Sequence, residues 1–240
     1  MSPTSSRARS EFGCARVRGG GLGTVIAMDV LVIGGHGKVA LRLLRLLARQ
    51  GHRGRGVIRR ADQGGDLEAA GAEPVLCDLE RGDDLRPYVG TANAFVFAAG
   101  AGPGSGPERK RTVDYGAAVK SMEVASELGV SRFVIVSSIG THDVDGAPEA
   151  MRPYLQAKRD ADDALKQSGL DWTIVKPGHL TTTPGSGRVE VSRTFGRRGD
   201  IPRDDVALVL AECLQAPTTI GVEFELFEGD LSARDAVRSL

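Results

Sequence analysis

A tyrosine and a lysine stand four residues apart in this chain, at Tyr154 and Lys158. If the segment is helical, that spacing places both side chains on the same helix face. An ammonium beside a phenol favours the phenolate, which would equip Tyr154 for proton transfer near neutral pH. The alternative is an exposed pair of side chains with no chemical role.

Two serines precede the pair, at the end of an apolar run that predicts a buried strand over 132–137. In open α/β sheets, ligands bind beyond the carboxyl ends of the strands. Ser138 therefore lies where a hydroxyl could orient a substrate. Ser137 and Ser138 could equally be satisfied hydroxyls at a strand end, which leaves both interpretations open.

A glycine-rich turn, Gly34 to Ala40, follows the apolar run Asp29–Ile33 and has the spacing G-x-x-G-x-x-A. Gly34 permits a tight turn, and Gly37 lets a phosphate approach the backbone. The N–H groups and partial positive charge of the next helix then suit a pyrophosphate, although a merely structural turn is the alternative. The cofactor contacts predicted in this turn are Gly34, Gly35, His36, Gly37, Lys38 and Val39.

If the pyrophosphate belongs to a nicotinamide dinucleotide, the segment after the second predicted strand bears on whether that dinucleotide is NAD or NADP. NAD enzymes carry an acidic residue about 20 residues beyond the glycines, which holds the ribose hydroxyls. Here the segment GHRGRGVIRRADQ carries four arginines, Arg59 and Arg60 among them, and no acid before Asp62. A guanidinium binds a phosphate bidentately, so the sequence predicts NADP in preference to NAD. A solvated basic stretch is the alternative.

Strands alternate with helices along the remaining chain, which predicts βαβ units and a parallel sheet covered on both faces. Later strands are predicted at 73–77, 94–98, 172–176 and 222–227, with helices near 113–128, 150–167 and 204–215. The predicted fold class is α/β, a doubly wound parallel sheet of the Rossmann type in a single domain.

Composition excludes several classes of protein. The 240 residues are 41% hydrophobic, with 31 basic against 31 acidic side chains, which argues against a bulk nucleic-acid binder. No apolar run approaches the ~20 residues of a membrane span. Three widely spaced cysteines (Cys14, Cys77 and Cys213) predict no disulfide framework or zinc site and favour a reducing cytoplasm. His36 and His179 also lack a partner at metal-ligand spacing, so no metal is predicted.

Residues 1–27 differ from the rest of the chain, with four arginines against the single acid Glu11. Serine and arginine with few acids are typical of a transit peptide, but no amphipathic helix or apolar segment accompanies them. We expect a disordered extension, or a start codon assigned too early with Met28 as the functional start. The predicted domain therefore covers 28–240.

Four motifs together resemble the short-chain dehydrogenase/reductase superfamily: GGHGKVA at 34–40, SS at 137–138, YLQAK at 154–158 and KPGHL at 176–180. From Met28 onwards the chain is similar to the atypical NAD(P)H-binding branch, alongside NmrA-like and flavin/biliverdin reductase-like proteins. The segments VFAAGAGPGSGPE, VSSIG and IVKPGHLTTTPGSGRV resemble small bacterial proteins of the NAD-dependent epimerase/dehydratase group.

The resemblance implies a role for each matching position. Ser138 would bond a substrate carbonyl, Tyr154 would donate the proton, and Lys158 would bind the cofactor ribose. Arg59 would lie near the 2′-phosphate of NADP. The other implied cofactor contacts are Asp78 and Leu79 after the third strand, Ala98, Ala99 and Gly100 after the fourth, and Pro177, Gly178, His179 and Leu180 beside the nicotinamide.

One position departs from the usual pattern of the superfamily. Asp114 stands where standard members have an asparagine in the helix after the fourth strand. An ionised carboxylate can accept a hydrogen bond from the lysine, but it cannot donate one as an amide does. Asp114 is thus a fourth candidate catalytic residue, and it calls the usual proton relay into question.

These observations predict an NADP-dependent oxidoreductase that transfers hydride to a small carbonyl, quinone or flavin substrate. One alternative is a catalytically degenerate NAD(P)-binding protein that senses redox state. Another is a sugar-nucleotide epimerase or dehydratase, which the short C-terminal part disfavours because it leaves no room for a separate substrate domain. We expect a small-molecule substrate, no nucleic-acid or membrane partner, and a monomer or homodimer.

Overall fold

The computed structural model describes residues 27–102 and 104–240. The strands are β1 (Asp29–Ile33), β2 (Arg53–Ile58), β3 (Glu73–Leu76), β4 (Ala94–Phe97), β5 (Arg132–Val136), β6 (Asp171–Pro177), β7 (His179–Thr181), β8 (Arg188–Ser192), β9 (Asp200–Pro202), β10 (Val222–Glu228) and β11 (Leu231–Ser232). Residues 1–26 lie outside the described part of the chain, and with them almost all of the predicted extension and Cys14.

Helices connect these strands. They are α1 (Lys38–Arg49), α2 (Gly64–Ala69), α3 (Pro107–Arg109), α4 (Ala118–Glu127), α5 (Arg152–Gln167), α6 (Arg203–Gln215) and α7 (Ala233–Arg238). A π-helical segment, Lys110–Ala117, joins α3 to α4. The helix predicted near 113–128 is therefore π-helical in its first part, a difference that apolar spacing does not reveal. Among the described residues, no helix is long and apolar enough to cross a membrane.

The described residues form one large sheet with strand order β11-β8-β10-β6-β5-β4-β1-β2-β3. Neighbouring strands from β3 across to β10 run parallel, and β8 pairs antiparallel with both β10 and β11 at one edge. A second, two-stranded sheet pairs β7 with β9. The prediction of a doubly wound α/β sheet in a single domain is confirmed.

Two hydrophobic cores cover the two faces of the sheet, because successive strand residues point to opposite sides. From β1, Val30 and Val32 enter the core beneath α1, α6 and α7. Leu31 and Ile33 enter the other core, beneath α4 and α5. This arrangement fixes the carboxyl ends of β1, β2, β3 and β4 side by side at one edge of the sheet, where the glycine-rich turn lies.

Candidate functional site

The glycine-rich turn approaches its neighbours too closely for any side chain. Gly34 has φ +81°, and a Cβ built on it would lie 2.6 Å from the Cα of Ala99. A Cβ on Gly35 would lie 2.6 Å from the Cα of Gly56 in β2. Glycine is thus required at both positions, which hold the turn against the ends of β2 and β4.

The turn leads directly into α1 and leaves the first helical turn open to an anion. Gly37 is the N-cap residue and provides no side-chain cap, so N–H groups of the first turn keep their capacity to donate. A Cβ on Gly37 would lie 3.1 Å from the carbonyl oxygen of Gly34. A bare backbone at a helix N-terminus fits a pyrophosphate group.

A pocket of about 240 Å³ opens beside this turn and extends across the ends of β1 to β4. It is lined by residues of the turn, of the strand ends and of the π-helical segment with its preceding helix: Ile33, Gly34, His36, Gly37, Val57, Ile58, Arg59, Gln63, Cys77, Asp78, Leu79, Glu80, Ala98, Ala99, Gly100, Arg109, Val113 and Ala117. Nine predicted cofactor residues are among them: Gly34, His36, Gly37, Arg59, Asp78, Leu79, Ala98, Ala99 and Gly100.

The other predicted cofactor residues lie outside this lining. Gly35, Lys38 and Val39 belong to the turn and helix behind it, and Arg60 is exposed and pairs with Asp62 at 3.1 Å. The two earlier arginines of the basic segment have structural roles. Arg55 is buried, and its Nε donates to Asp29 at 2.8 Å, while Arg53 pairs with Asp29 and Glu73 at the far end of β2.

Polar groups at the pocket rim include two residues that the sequence did not indicate. Arg109 donates to the Glu80 carboxylate through Nε at 3.1 Å and through Nη2 at 3.2 Å. Arg59 lies 3.5 Å from the same carboxylate. Glu80 follows the predicted pair Asp78 and Leu79, so its place near the pocket could have been predicted, whereas no spacing signal identifies Arg109.

Two further lining residues have identifiable roles. The imidazole Nε2 of His36 lies 2.7 Å from the Asp66 carboxylate, which tethers the turn to α2. Burial, with added repulsion from nearby carboxylates such as Asp83, raises the pKa of Cys77 to about 11. The Cys77 thiol is therefore protonated at neutral pH and is a packing group rather than a nucleophile.

Lys158 and Asp114 form a buried ion pair behind the pocket. The Lys158 Nζ lies 3.3 Å from Asp114 Oδ1 and donates to the carbonyl oxygens of Val136 at 3.1 Å and Ala99 at 3.3 Å. Asp114 Oδ2 accepts from the backbone N–H of Ala101 at 3.1 Å. Asp114 is thus the charge partner of Lys158, and the ammonium holds the pocket floor at Ala99 from beneath.

Tyr154 is half-buried one helical turn from Lys158, and a different ammonium faces its ring. The Nζ of Lys110, in the π-helical segment, lies 5.1 Å from the ring centroid. Lys110 also donates to the Ser105 hydroxyl at 3.3 Å. The predicted helix carries Tyr154 and Lys158 as expected, but Lys158 is turned into the ion pair with Asp114.

The two serines after β5 have different environments. Ser137 is buried and donates to the Asp162 carboxylate at 2.8 Å, which is the structural role that the sequence left open. Ser138 is half-buried at the strand end.

The segment predicted beside the nicotinamide builds the small second sheet. The N–H groups of Gly178 and His179 donate to Leu226 and Gly199 carbonyls, and His179 is exposed. Pro177 ends β6, and Leu180 lies in β7.

The fold and the turn define a Rossmann-type NAD(P)-binding protein of a single domain. The chain belongs to the family described as "NAD(P)H-binding", whose model matches residues 34–217. This is the family that the resemblance in the sequence indicated, and it includes oxidoreductase-like and epimerase-like proteins.

Three similar proteins illustrate the family. The "Uncharacterized sugar epimerase YhfK" of Bacillus subtilis is 37% identical over 215 residues, which cover 89% of this chain and 100% of the relative. A solved structure from Bacillus halodurans, a "Putative NAD-dependent epimerase/dehydratase", is 42% identical with a TM-score of 0.86, covering 89% and 100%. ChuY, named as an anaerobillin reductase from Escherichia coli O157:H7, is 25% identical with a TM-score of 0.69, covering 85% and 98%.

Proposed function

We propose that this protein is an NADP-dependent oxidoreductase that reduces a small carbonyl, quinone or flavin substrate. The observation that carries the proposal is the pocket that unites the glycine-rich turn, the helix N-terminus and Arg59. A bare backbone for the pyrophosphate and a guanidinium after β2 are the two features that NADP requires. The relative ChuY, named as a reductase, supports the same class of reaction.

The bound nicotinamide supplies the hydride, and this chain's residues orient the substrate and move the proton. In this proposal Ser138 donates a hydrogen bond to the substrate oxygen, and Tyr154 delivers the proton that completes the reduction. Lys158 and Asp114 keep the backbone of Ala99 and Ala101 in place under the cofactor. Pro177, Gly178, His179 and Leu180 border the reacting end.

A redox-sensing protein without catalytic activity is the second candidate. The observation that favours it is the burial of Lys158, whose ammonium is engaged by Asp114 and two carbonyl oxygens. Backbone carbonyl oxygens take two of its three N–H donors, which leaves one for a ribose hydroxyl. A nucleotide-sugar enzyme is less well supported, because after β6 the strands β8, β10 and β11 extend the large sheet and the other two strands, β7 and β9, form only a two-stranded sheet instead of a substrate domain.

We further propose that the protein acts in the cytoplasm on a small molecule, as a monomer or homodimer, without nucleic-acid or membrane partners. Cys77 and Cys213 are free and buried among the described residues. Burial raises the pKa of Cys213 to about 12, so this thiol is as unreactive as that of Cys77. Unpaired thiols of this kind suit a reducing compartment.

A thermal-shift titration with NADPH, NADP⁺, NADH and NAD⁺ tests the cofactor. A ligand at 100 times its Kd stabilises the folded state by about 2.7 kcal/mol, so binding gives a visible rise in Tm. We expect larger shifts with the phosphorylated pair. No shift with any of the four would contradict the proposal.

Turnover of Tyr154→Phe separates the two candidate functions, once a substrate has been found by screening carbonyls, quinones and flavins with NADPH. Loss of turnover with retained NADPH binding supports an enzyme that uses Tyr154 as its proton donor. Unchanged turnover would indicate hydride transfer without Tyr154. Binding of NADPH with no turnover of any substrate class by the wild-type protein would favour the redox sensor.

A further inference from the structure

Three charged side chains from separate elements meet at one wall of the nucleotide pocket. Arg59 follows β2, Glu80 follows β3, and Arg109 ends α3, and all three line the pocket. Both guanidinium groups contact the Glu80 carboxylate, Arg109 through two nitrogens at 3.1 and 3.2 Å and Arg59 at 3.5 Å. The Thr112 hydroxyl donates to the same carboxylate at 3.2 Å. We call Arg59, Glu80 and Arg109 the rim triad.

Within the rim triad, the guanidinium groups of Arg59 and Arg109 form an arrangement that suits an anion, and the Glu80 carboxylate occupies it. Hydrogen bonds from Arg109 hold the pKa of Glu80 below its usual range, so the carboxylate is ionised at neutral pH. Within the rim triad itself, two guanidinium groups and one carboxylate leave a net charge of +1. Two guanidinium groups that converge on one carboxylate can bind a phosphate in the same way, because both anions present oxygens to the same N–H groups.

We propose that Glu80 determines how strongly this protein prefers NADP to NAD, by competing with the 2′-phosphate for Arg59 and Arg109. Arg109 is then a second 2′-phosphate-binding residue beside Arg59. This inference rests on the nucleotide site of the proposed function and goes beyond it, because it assigns the selectivity to residues outside the segment after β2.

The competition has opposite consequences for the two dinucleotides. The 2′-phosphate carries close to two negative charges and must displace Glu80 or accept its repulsion. NAD presents a 2′-hydroxyl at that position, and a carboxylate can accept a hydrogen bond from it, as acidic residues do in NAD enzymes. Glu80 therefore weakens NADP binding and supports NAD binding, so the wild-type preference for NADP is smaller than two arginines alone would give.

Two small nucleotides isolate this effect from the nicotinamide and from catalysis. 2′,5′-ADP and 5′-AMP differ only in the 2′-phosphate, so the ratio of their Kd values isolates the contribution of the 2′-phosphate, on which the rim triad would act. We would determine both Kd values by isothermal titration calorimetry for the wild type, Glu80→Gln and Arg109→Gln. Glutamine keeps the size of Glu80 and one acceptor oxygen for Thr112 or an arginine while removing the charge.

We expect Glu80→Gln to raise the preference for 2′,5′-ADP over 5′-AMP by about 5- to 20-fold, the effect of removing one unit charge a few ångströms away at the protein surface. Arg109→Gln should lower the same preference by about 10-fold, since one of two guanidinium groups is lost. Asp62→Asn is the matched control, because Asp62 also pairs with an arginine after β2 but lies outside the pocket. Its preference should equal that of the wild type.

Each outcome supports or overturns the inference. An unchanged or reduced preference in Glu80→Gln, with both nucleotides still bound, overturns the role of Glu80 and leaves the nucleotide site intact. An increase of equal size in Asp62→Asn shows a general charge effect and overturns it as well. If neither nucleotide binds the wild type, the proposed cofactor site itself is wrong, and the inference fails with it. Melting curves of each variant verify that folding is retained.

Discussion

The buried pair of Asp114 and Lys158 has almost no access to solvent, since Asp114 is 0% and Lys158 3% exposed. Two charges in such a place depend on each other, because a lone buried charge is far more costly than a paired one. The backbone groups that surround the pair, the Ala99 carbonyl and the Ala101 N–H, belong to the chain that follows β4. The pair therefore links folding stability to the shape of the pocket floor.

Replacing Asp114 with alanine leaves the Lys158 ammonium buried with carbonyl oxygens as its partners. We expect Asp114→Ala to lose about 3–5 kcal/mol of unfolding free energy, measured by urea denaturation. Adding Lys158→Met to this variant should recover part of the loss, because the second change removes the orphaned charge. A loss below about 1 kcal/mol in the single variant would show that water reaches the pair.

Asp162 gives the stability of the protein a pH dependence. Burial raises the pKa of the Asp162 carboxyl from 3.8 to about 6, although the nearby Lys176 charge and the hydrogen bond from Ser137 both act to lower it. The folded state thus holds a proton that the unfolded chain releases, and the stability that this provides is present below about pH 4 and is lost as the pH rises through about 6.

We therefore expect the wild type to lose about 2 kcal/mol relative to Asp162→Asn between pH 4.5 and pH 7.5, because asparagine cannot ionise. Urea midpoints at pH 4.5, 6.0 and 7.5 provide the measurement. Asp163→Asn, an exposed carboxylate on the same helix, is the control and should run parallel to the wild type. A constant difference between wild type and Asp162→Asn would contradict the raised pKa.

At the level of single residues, the sequence was a better guide to which side chains lie near each other than to the contacts that each of them makes. Spacing places Tyr154 and Lys158 one helical turn apart, because that depends on local geometry alone. The contacts of Lys158 with Asp114, 44 positions earlier in the chain, and the meeting of Arg109 with Glu80 follow from how β3, β4 and α5 come together. Tertiary packing of this kind leaves no periodic signal in one sequence.

The glycine-rich turn shows how an element can depend on the absence of a side chain. Gly34 combines a positive φ with a close approach to Ala99, whereas Gly51, at the end of α1, has φ +78° and open space where a Cβ would lie, with no atom within 4 Å. A side chain at Gly51 would therefore meet backbone strain alone, whereas a side chain at Gly34 would meet both backbone strain and a steric clash.

We expect Gly51→Ala to cost about 1 kcal/mol of unfolding free energy, the cost of a left-handed alanine, without changing nucleotide binding. Gly34→Ala should cost about 2 kcal/mol more, because a Cβ 2.6 Å from the Ala99 backbone forces the turn away from β4. It should also abolish the thermal shift with NADPH. Equal losses in both variants, measured by urea denaturation, would show that the turn can move away without penalty.

Elements with a strong pattern were predicted within one or two residues, and those set by long-range pairing were not. The strands β1 and β5 are short, mostly apolar runs rich in β-branched residues, which favour a strand over a helix. In contrast, β7, β9 and β11 have two or three residues each and exist only through their partners. The π-helical turn is likewise invisible to a search at 3.6 residues per turn.

The described residues fold around one large sheet, in which β10, a strand from the C-terminal part of the chain, lies between β6 and β8. Phe224 of β10 is fully buried in the core beneath α6, and Phe95 of β4 is fully buried in the opposite core. Both cores pack against the same strands. We therefore expect that neither the N-terminal nor the C-terminal part of the described chain can stay folded when the other unfolds.

We expect Phe224→Ala and Phe95→Ala each to lower the unfolding free energy by about 3–5 kcal/mol. Far-UV circular dichroism and tryptophan fluorescence should report a single coincident urea transition in each variant. Two separate transitions in Phe224→Ala would show that the part of the chain around β10 unfolds by itself.

The π-helical segment Lys110–Ala117 has a consequence for how this chain tolerates changes of length. Its wider turns accommodate more residues than an α-helix of equal rise, and Asp114 lies within it. Deleting one residue ahead of Asp114 would let the segment relax to an α-helix. Successive side chains of an α-helix are rotated by about 100° about the helix axis, so the deletion would change the direction in which Asp114 points. Asp114 would then leave Lys158, while the apolar face of α4 could keep its place. A one-residue deletion can thus remove the ion pair without altering any of its members.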